Sequence, residues 1–123
     1  MKNAALYVRT ANAPIEEISK QTDFLMGYVK NMGDTEVGKL YVDHNHSGLD
    51  YKRSGLNNLL ADALNKKMDC IVIRDFSRLG RDYIKVLALM KLLRHLNIRL
   101  ISIGEKYDSF SERKCVLWQE SQE

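Results

Sequence analysis

Apolar positions in this chain come in two patterns, short unbroken runs and stretches that repeat every three to four residues. Residues 4–8, AALYV, form an apolar run of strand length that stops at Arg9. Pro14 suits the first position of a helix, and Ile18, Phe24, Leu25 and Val29 follow at helical spacing, which predicts a helix over about Ile15–Asn31. KLYVD, residues 39–43, reads as a second strand entered through Gly38. A polar loop, HNHSGLDYKRSG, then leads into Leu56, Leu59, Leu60, Ala63 and Leu64, whose spacing is that of an amphipathic helix. CIVIR, residues 70–74, has the all-apolar character of a strand buried on both faces at the centre of a parallel sheet. A helix over about Asp82–Leu96 and a fourth strand in IRLISI, residues 98–103, complete the series.

Strand and helix alternate throughout, which predicts an α/β domain of three layers with a mainly parallel sheet of about four strands flanked by helices. No repeat, low-complexity tract or linker interrupts it. At 123 residues and 45% hydrophobic content the chain can bury one core without staples. No apolar run approaches the roughly 18–20 residues that span a bilayer. The opening MKNAALYVRT has no long apolar stretch after its lysine, so a cytoplasmic protein with no secretory leader is expected. Cys70 lies inside an apolar run and reads as a buried thiol, and Cys115 as incidental. His44, His46 and His95 offer these cysteines no matching set, so a zinc site is not expected. A net charge of +3 permits nucleic-acid binding without requiring it, so where the charges sit decides more than their sum.

In open parallel sheets chemistry gathers in the loops beyond the carboxyl ends of the strands. Here those loops are Arg9 to Asn12, Asp43 to Gly55, Arg74 to Arg81 and Gly104 to Asp108, and arginine recurs in three of the four. Arg9, Arg53, Arg74, Arg78 and Arg81 therefore fall near one edge. Guanidinium groups hold their charge at any biological pH and match phosphate oxygens in bidentate fashion. Several converging on one point would repel each other unless an anion sat there, whereas solvated arginines on separate faces would never meet. In IRDFSRLGRDY, Arg78 and Arg81 are three apart, so a helical turn would aim both the same way, and Gly80 between them admits close approach or positive φ. Asp75 either orients a neighbouring arginine or caps the turn that follows.

These residues carry a resemblance. Tyr7-Val8-Arg9-Thr10-Ala11 resembles the YxRxS opening of the serine recombinases of the resolvase/invertase family, with alanine in the place of the serine. Gln21 matches a glutamine of the first helix; Ser47-Gly48 with Arg53, Gly55 and Leu56 resembles the family's SG…RxGL segment. Ser77-Arg78-Leu79-Gly80-Arg81 resembles its DRLGR or SRLGR signature, and Ile101 to Ser109 resembles the start of an IxSINxxYDS-like segment. The landmarks stand in the family's order over roughly residues 4–109.

The resemblance implies a resolvase-like fold and a metal-independent, ATP-independent transesterification. In it a serine oxygen attacks a DNA phosphate, giving a 5′-phosphoserine link and a free 3′-hydroxyl, followed by subunit exchange in a tetramer and resealing. It implies that Arg9, Arg53, Arg78 and Arg81 surround the phosphate of double-stranded DNA, that Gln21 helps position it, and that Ser77 stands where small resolvases carry aspartate. Ala11 occupies the nucleophile position with no group able to attack phosphorus. Engineered replacement, natural decay, or service by Thr10 would each account for it, though adjacent residues leaving a strand point opposite ways. A domain over residues 1–109 and a short atypical tail over 110–123 are expected, too short for the family's long helix and DNA-binding domain. Full-length relatives would act as dimers or tetramers, and this chain would hold duplex DNA weakly, at low salt. Two other readings compete. A phosphoacceptor receiver domain shares the fold class, with Asp75 beyond the third strand, but Arg9-Thr10 stands where its Mg²⁺-binding acidic pair belongs. A non-catalytic, recombinase-derived module for DNA binding or dimerisation is compatible with Ala11.

Overall fold

The structure is a computed structural model and describes residues 1–11, 13–45 and 54–111. Within them run β1 (Lys2–Ala11), α1 (Glu16–Met32), β2 (Thr35–Asn45), α2 (Ser54–Leu64), β3 (Cys70–Ile73), a 3₁₀ turn (Phe76–Arg78), α3 (Tyr83–His95), β4 (Arg99–Ser102) and β5 (Tyr107–Asp108). The sheet order is β2-β1-β3-β4-β5. The first four strands are mutually parallel and β5 returns antiparallel to β4.

Why β1 and β3 read as unbroken apolar runs is clear from what covers them. Ala4, Leu6 and Val8 on β1 join Cys70, Val72 and Ile101 in a cluster closed by Leu25 and Val29 of α1. Ala5 and Tyr7 point the other way, into a cluster with Ile71, Ile73, Leu59 and Ala63 of α2 and Met90 and Leu93 of α3. Alternating side chains are thus buried on both faces, and the domain has three layers. Cys70 is buried, and burial pushes its thiol up to about 12, which leaves it unreactive at neutral pH. Cys115 and His46 lie outside the described residues.

Two features depart from the sequence expectation. β2 starts at Thr35, four residues before the apolar stretch KLYVD, because it is an edge strand and Glu36, Lys39 and Leu40 are exposed there. Gly38 does not open the strand but sits inside it. The register steps from Ala4↔Val37 to Ala5↔Lys39, and a Cβ at Gly38 would fall 1.9 Å from Asn3 Oδ1. A side chain at this bulge would have to displace the Asn3 amide. β5 adds a fifth strand of two residues, too short to show as a pattern. Among the described residues no helix is long and apolar enough to cross a membrane.

Candidate active site

β1 runs past the core and delivers its last residues to the carboxyl edge of the sheet. By the strand alternation, Arg9 and Ala11 share the face of Tyr7, toward α2 and α3, while Thr10 lies on the α1 face. Arg9 is half-buried, and its Nε is buried with no hydrogen-bond partner. Its carbonyl oxygen accepts a hydrogen bond from Nη1 of Arg78 at 2.8 Å. The Arg78 side chain thereby reaches the backbone of Arg9 where β1 ends. Ala11 is the terminal residue of the strand, exposed and registered opposite Asn45.

Arg78 reaches β1 because the segment after β3 is tightly specified. Asp75 is extended and caps the 3₁₀ turn, its Oδ1 accepting from the Ser77 backbone N–H at 3.0 Å and also from the Ser77 hydroxyl. Its Oδ2 lies 3.6 Å from Nε of Arg78, an ion pair rather than a hydrogen bond. Phe76 packs against Tyr107 of β5 with ring centroids 5.3 Å apart, its backbone N–H donates to Glu105, and Leu79 is buried. Asp75 therefore both caps the turn and faces an arginine, the two roles that the sequence leaves open.

Arg81 corrects an expectation. The turn ends at Arg78, and Gly80 takes φ 154°, so Arg78 and Arg81 do not share a helical turn. A second cap at Asp82 then starts α3. Arg81 is exposed and lines a small groove with Phe76, Ser77, Tyr83 and Leu87. Ser77 is likewise exposed, its hydroxyl on Asp75. Arg74 is exposed with its guanidinium 5.4 Å from the ring centre of Phe24 on α1. Arg53, Ser47 and Gly48 lie outside the described residues.

Gln21 comes from the other layer. It is 3% exposed on α1, beside the cluster of Leu25 and Val29, and its Oε1 is buried with no hydrogen-bond partner. Thr10 is buried on that same side, its Oγ1 2.5 Å from Nδ1 of His44. A hydroxyl so placed is turned away from Arg9 and sealed from solvent, which removes Thr10 as a substitute for the missing serine.

One residue that pattern reading passes over organises this edge. Asp43 is buried at the end of β2, and its carboxylate accepts from the Tyr7 hydroxyl at 2.7 Å and from the backbone N–H groups of Gly55 and Leu56 at 2.8 and 2.9 Å. A negative charge at the amino end of α2 also complements the helix dipole. Gly55 comes so close that a Cβ there would be 2.5 Å from the Val42 carbonyl oxygen. These contacts clamp the start of α2 to the sheet, directly after Arg53. The available signal was the tyrosine in AALYV, whose hydroxyl needs a partner when buried.

Chemically, the edge offers the Arg9 guanidinium with an unsatisfied buried donor, and a second guanidinium, that of Arg78, tethered to the Arg9 backbone. A buried donor left unmade costs about 1–3 kcal/mol, a cost that an oxyanion accepting from it would remove.

Comparisons with known proteins bear on the family and the fold. The model of the resolvase N-terminal domain matches residues 4–117. Among solved structures, the N-terminal catalytic domain of TP901-1 integrase superposes with a TM-score of 0.76 at 30% identity, covering 90% of this chain and 84% of that one. A resolvase family site-specific recombinase from Streptococcus pneumoniae gives 0.75 at 20% identity, over 92% and 79% of the two chains. The C-terminal catalytic domain of ISC1926 TnpA, an IS607-like serine recombinase, gives 0.70 at 22%, over 82% and 68%. The last two speak for the fold alone. No curated protein sequence matches. With a family model matching residues 4–117 and an integrase domain at 30% identity, the chain belongs to the serine recombinases, within their resolvase-type catalytic domain family.

Proposed function

We propose that this chain is a DNA strand-transfer domain whose phosphate-binding arginines are in place and whose nucleophile position is vacant. Arg9 and Arg78 hold the scissile phosphate of double-stranded DNA, joined by Arg53 and Arg81, with Ser77 orienting the loop; Gln21, buried in the α1 layer with Thr10, helps to position it only indirectly, from behind the end of β1. In an active copy, the oxygen of a serine at position 11 forms a bond to phosphorus and the bond from phosphorus to the 3′ oxygen breaks. That oxygen takes up a proton, and the phosphodiester's charge is conserved. Negative charge accumulating on the equatorial oxygens in the transition state is what fixed guanidinium groups stabilise, without a metal ion. The supporting observation is the junction of Arg78 Nη1 with the Arg9 carbonyl beside the unpartnered Arg9 Nε, two residues before Ala11. Full-length assembly as a dimer or tetramer belongs to the same reading.

Ala11 itself favours a second reading, a module that binds DNA or pairs with an active copy without cutting. Loss of a nucleophile costs on the order of 10⁶ in rate where it has been measured for a covalent enzyme. The variant Ala11→Ser separates the two. Incubated with a pool of duplexes of randomised sequence, it should give an adduct that survives denaturant and leaves a free 3′-hydroxyl, while the parent chain gives none. A folded Ala11→Ser protein that binds the pool and forms no adduct leaves the non-catalytic reading in possession.

A further inference from the structure

We infer that Asp75 is a positioning residue, whose carboxylate sets the guanidinium of Arg78 for the anion at the end of β1. The inference rests on the proposed phosphate site and adds to it a residue that does not touch the phosphate.

Both carboxylate oxygens are engaged, and on different tasks. Oδ1 holds the Ser77 backbone N–H and hydroxyl, which fixes the carboxylate on its own turn. Oδ2 faces Nε of Arg78 at 3.6 Å, while Nη1 of the same guanidinium donates to the Arg9 carbonyl at 2.8 Å. A planar group hydrogen-bonded at Nη1 and drawn electrostatically toward Oδ2 at Nε has its direction biased before any ligand arrives, so less freedom is lost on binding. Arg78 is three-quarters buried and Asp75 similarly so, which shields the pair from solvent. Glu105, a second carboxylate that reaches this loop, accepts from the Phe76 N–H and the Ser102 hydroxyl.

A carboxylate beside an anion site has an adverse sign, and that makes the inference sharp. If Asp75 acted only through its charge or only as a cap, neutralising it would leave anion binding unchanged or tighten it roughly two- to fivefold, the range of an exposed charge interaction. As a positioning residue its neutralisation weakens binding instead. Asp75→Asn keeps an oxygen that can cap the turn and removes the ion pair.

The experiment measures binding of a fluorescent duplex at low salt by the intact chain, Asp75→Asn, Arg78→Ala and the double variant, with thermal unfolding run in parallel. Asp75→Asn should weaken binding at least threefold, and in the Arg78→Ala background it should add no further loss, because its effect passes through Arg78. Asp75→Ser, which caps through its hydroxyl, replaces the asparagine variant if that fails to fold. Tighter or unchanged binding by Asp75→Asn, or losses that simply add, overturns the inference and leaves the phosphate site standing. A parent chain with no low-salt binding overturns both.

Discussion

The two ends of the sheet treat their arginines differently. At the amino end, Arg99 is held by Asp108 through a bidentate pair, Nε to Oδ1 at 2.9 Å and Nη2 to Oδ2 at 2.5 Å. Around it Asn3 and Asp69 exchange hydrogen bonds in both directions, and the Asp69 carbonyl accepts from the Arg99 backbone. At the carboxyl end, Arg78 leans on a backbone carbonyl and a looser ion pair, and Arg9 keeps a buried Nε with no partner. One end is complete in itself. At the other the Arg9 Nε has no hydrogen-bond partner, and in a well-packed domain such a deficit marks a candidate binding site, here the proposed anion site, better than a hollow does. A cavity of about 460 Å³ in fact opens at the amino end, with Lys2, Asp34, Asp69 and Arg99 in its lining, so its walls carry charges of both signs.

Breaking the contrast begins with the scaffold. Asp43→Ala should cost the most stability, about 3 kcal/mol in a denaturant titration, because it removes at once a buried acceptor shared by the Tyr7 hydroxyl and two backbone N–H groups. A loss below about 1 kcal/mol would mean that the carboxyl end is loosely built rather than specifically incomplete. Next comes Arg9→Ala, expected to weaken duplex binding about tenfold, or about 1.4 kcal/mol, with no loss of thermal stability, since its guanidinium edge is unpaid for in the folded chain. Arg99→Ala should do the reverse: about 1 kcal/mol of stability lost and duplex binding within twofold of the parent. The smallest effect is its pH dependence. Hydrogen bonds from Arg99, working against burial, hold the Asp108 carboxyl below the usual carboxylate range. The stability it supplies is therefore full above about pH 4 and lost as pH falls through the lowered value, so the gap between parent and Arg99→Ala should be constant from pH 8 to 5 and close in stronger acid.

Much of this was legible in the chain, for reasons that differ by residue. CIVI announces a central strand because both of its faces are covered, and Leu56 to Leu64 announce a helix because only one face is. The first residues of β2 were silent, since an edge strand with exposed Glu36 and Lys39 needs no apolar run. The SRLGR stretch located the arginines but gave the wrong picture of their turn, because spacing alone does not reveal that Gly80 breaks it before Arg81. Asp75 could not be settled by pattern either, since capping and ion pairing ask for the same residue. Asp43 was missed because its three partners are brought from β1 and α2 by the fold, not by proximity in sequence.

The most direct measurement follows the arginine side-chain N–H resonances of the ¹⁵N-labelled chain as inorganic phosphate is added. Arg9 and Arg78 should shift together, saturably and with one shared dissociation constant, while Arg99 stays still. Separate constants for Arg9 and Arg78, or shifts no larger than those of Arg99, would contradict a single anion pocket at the end of β1.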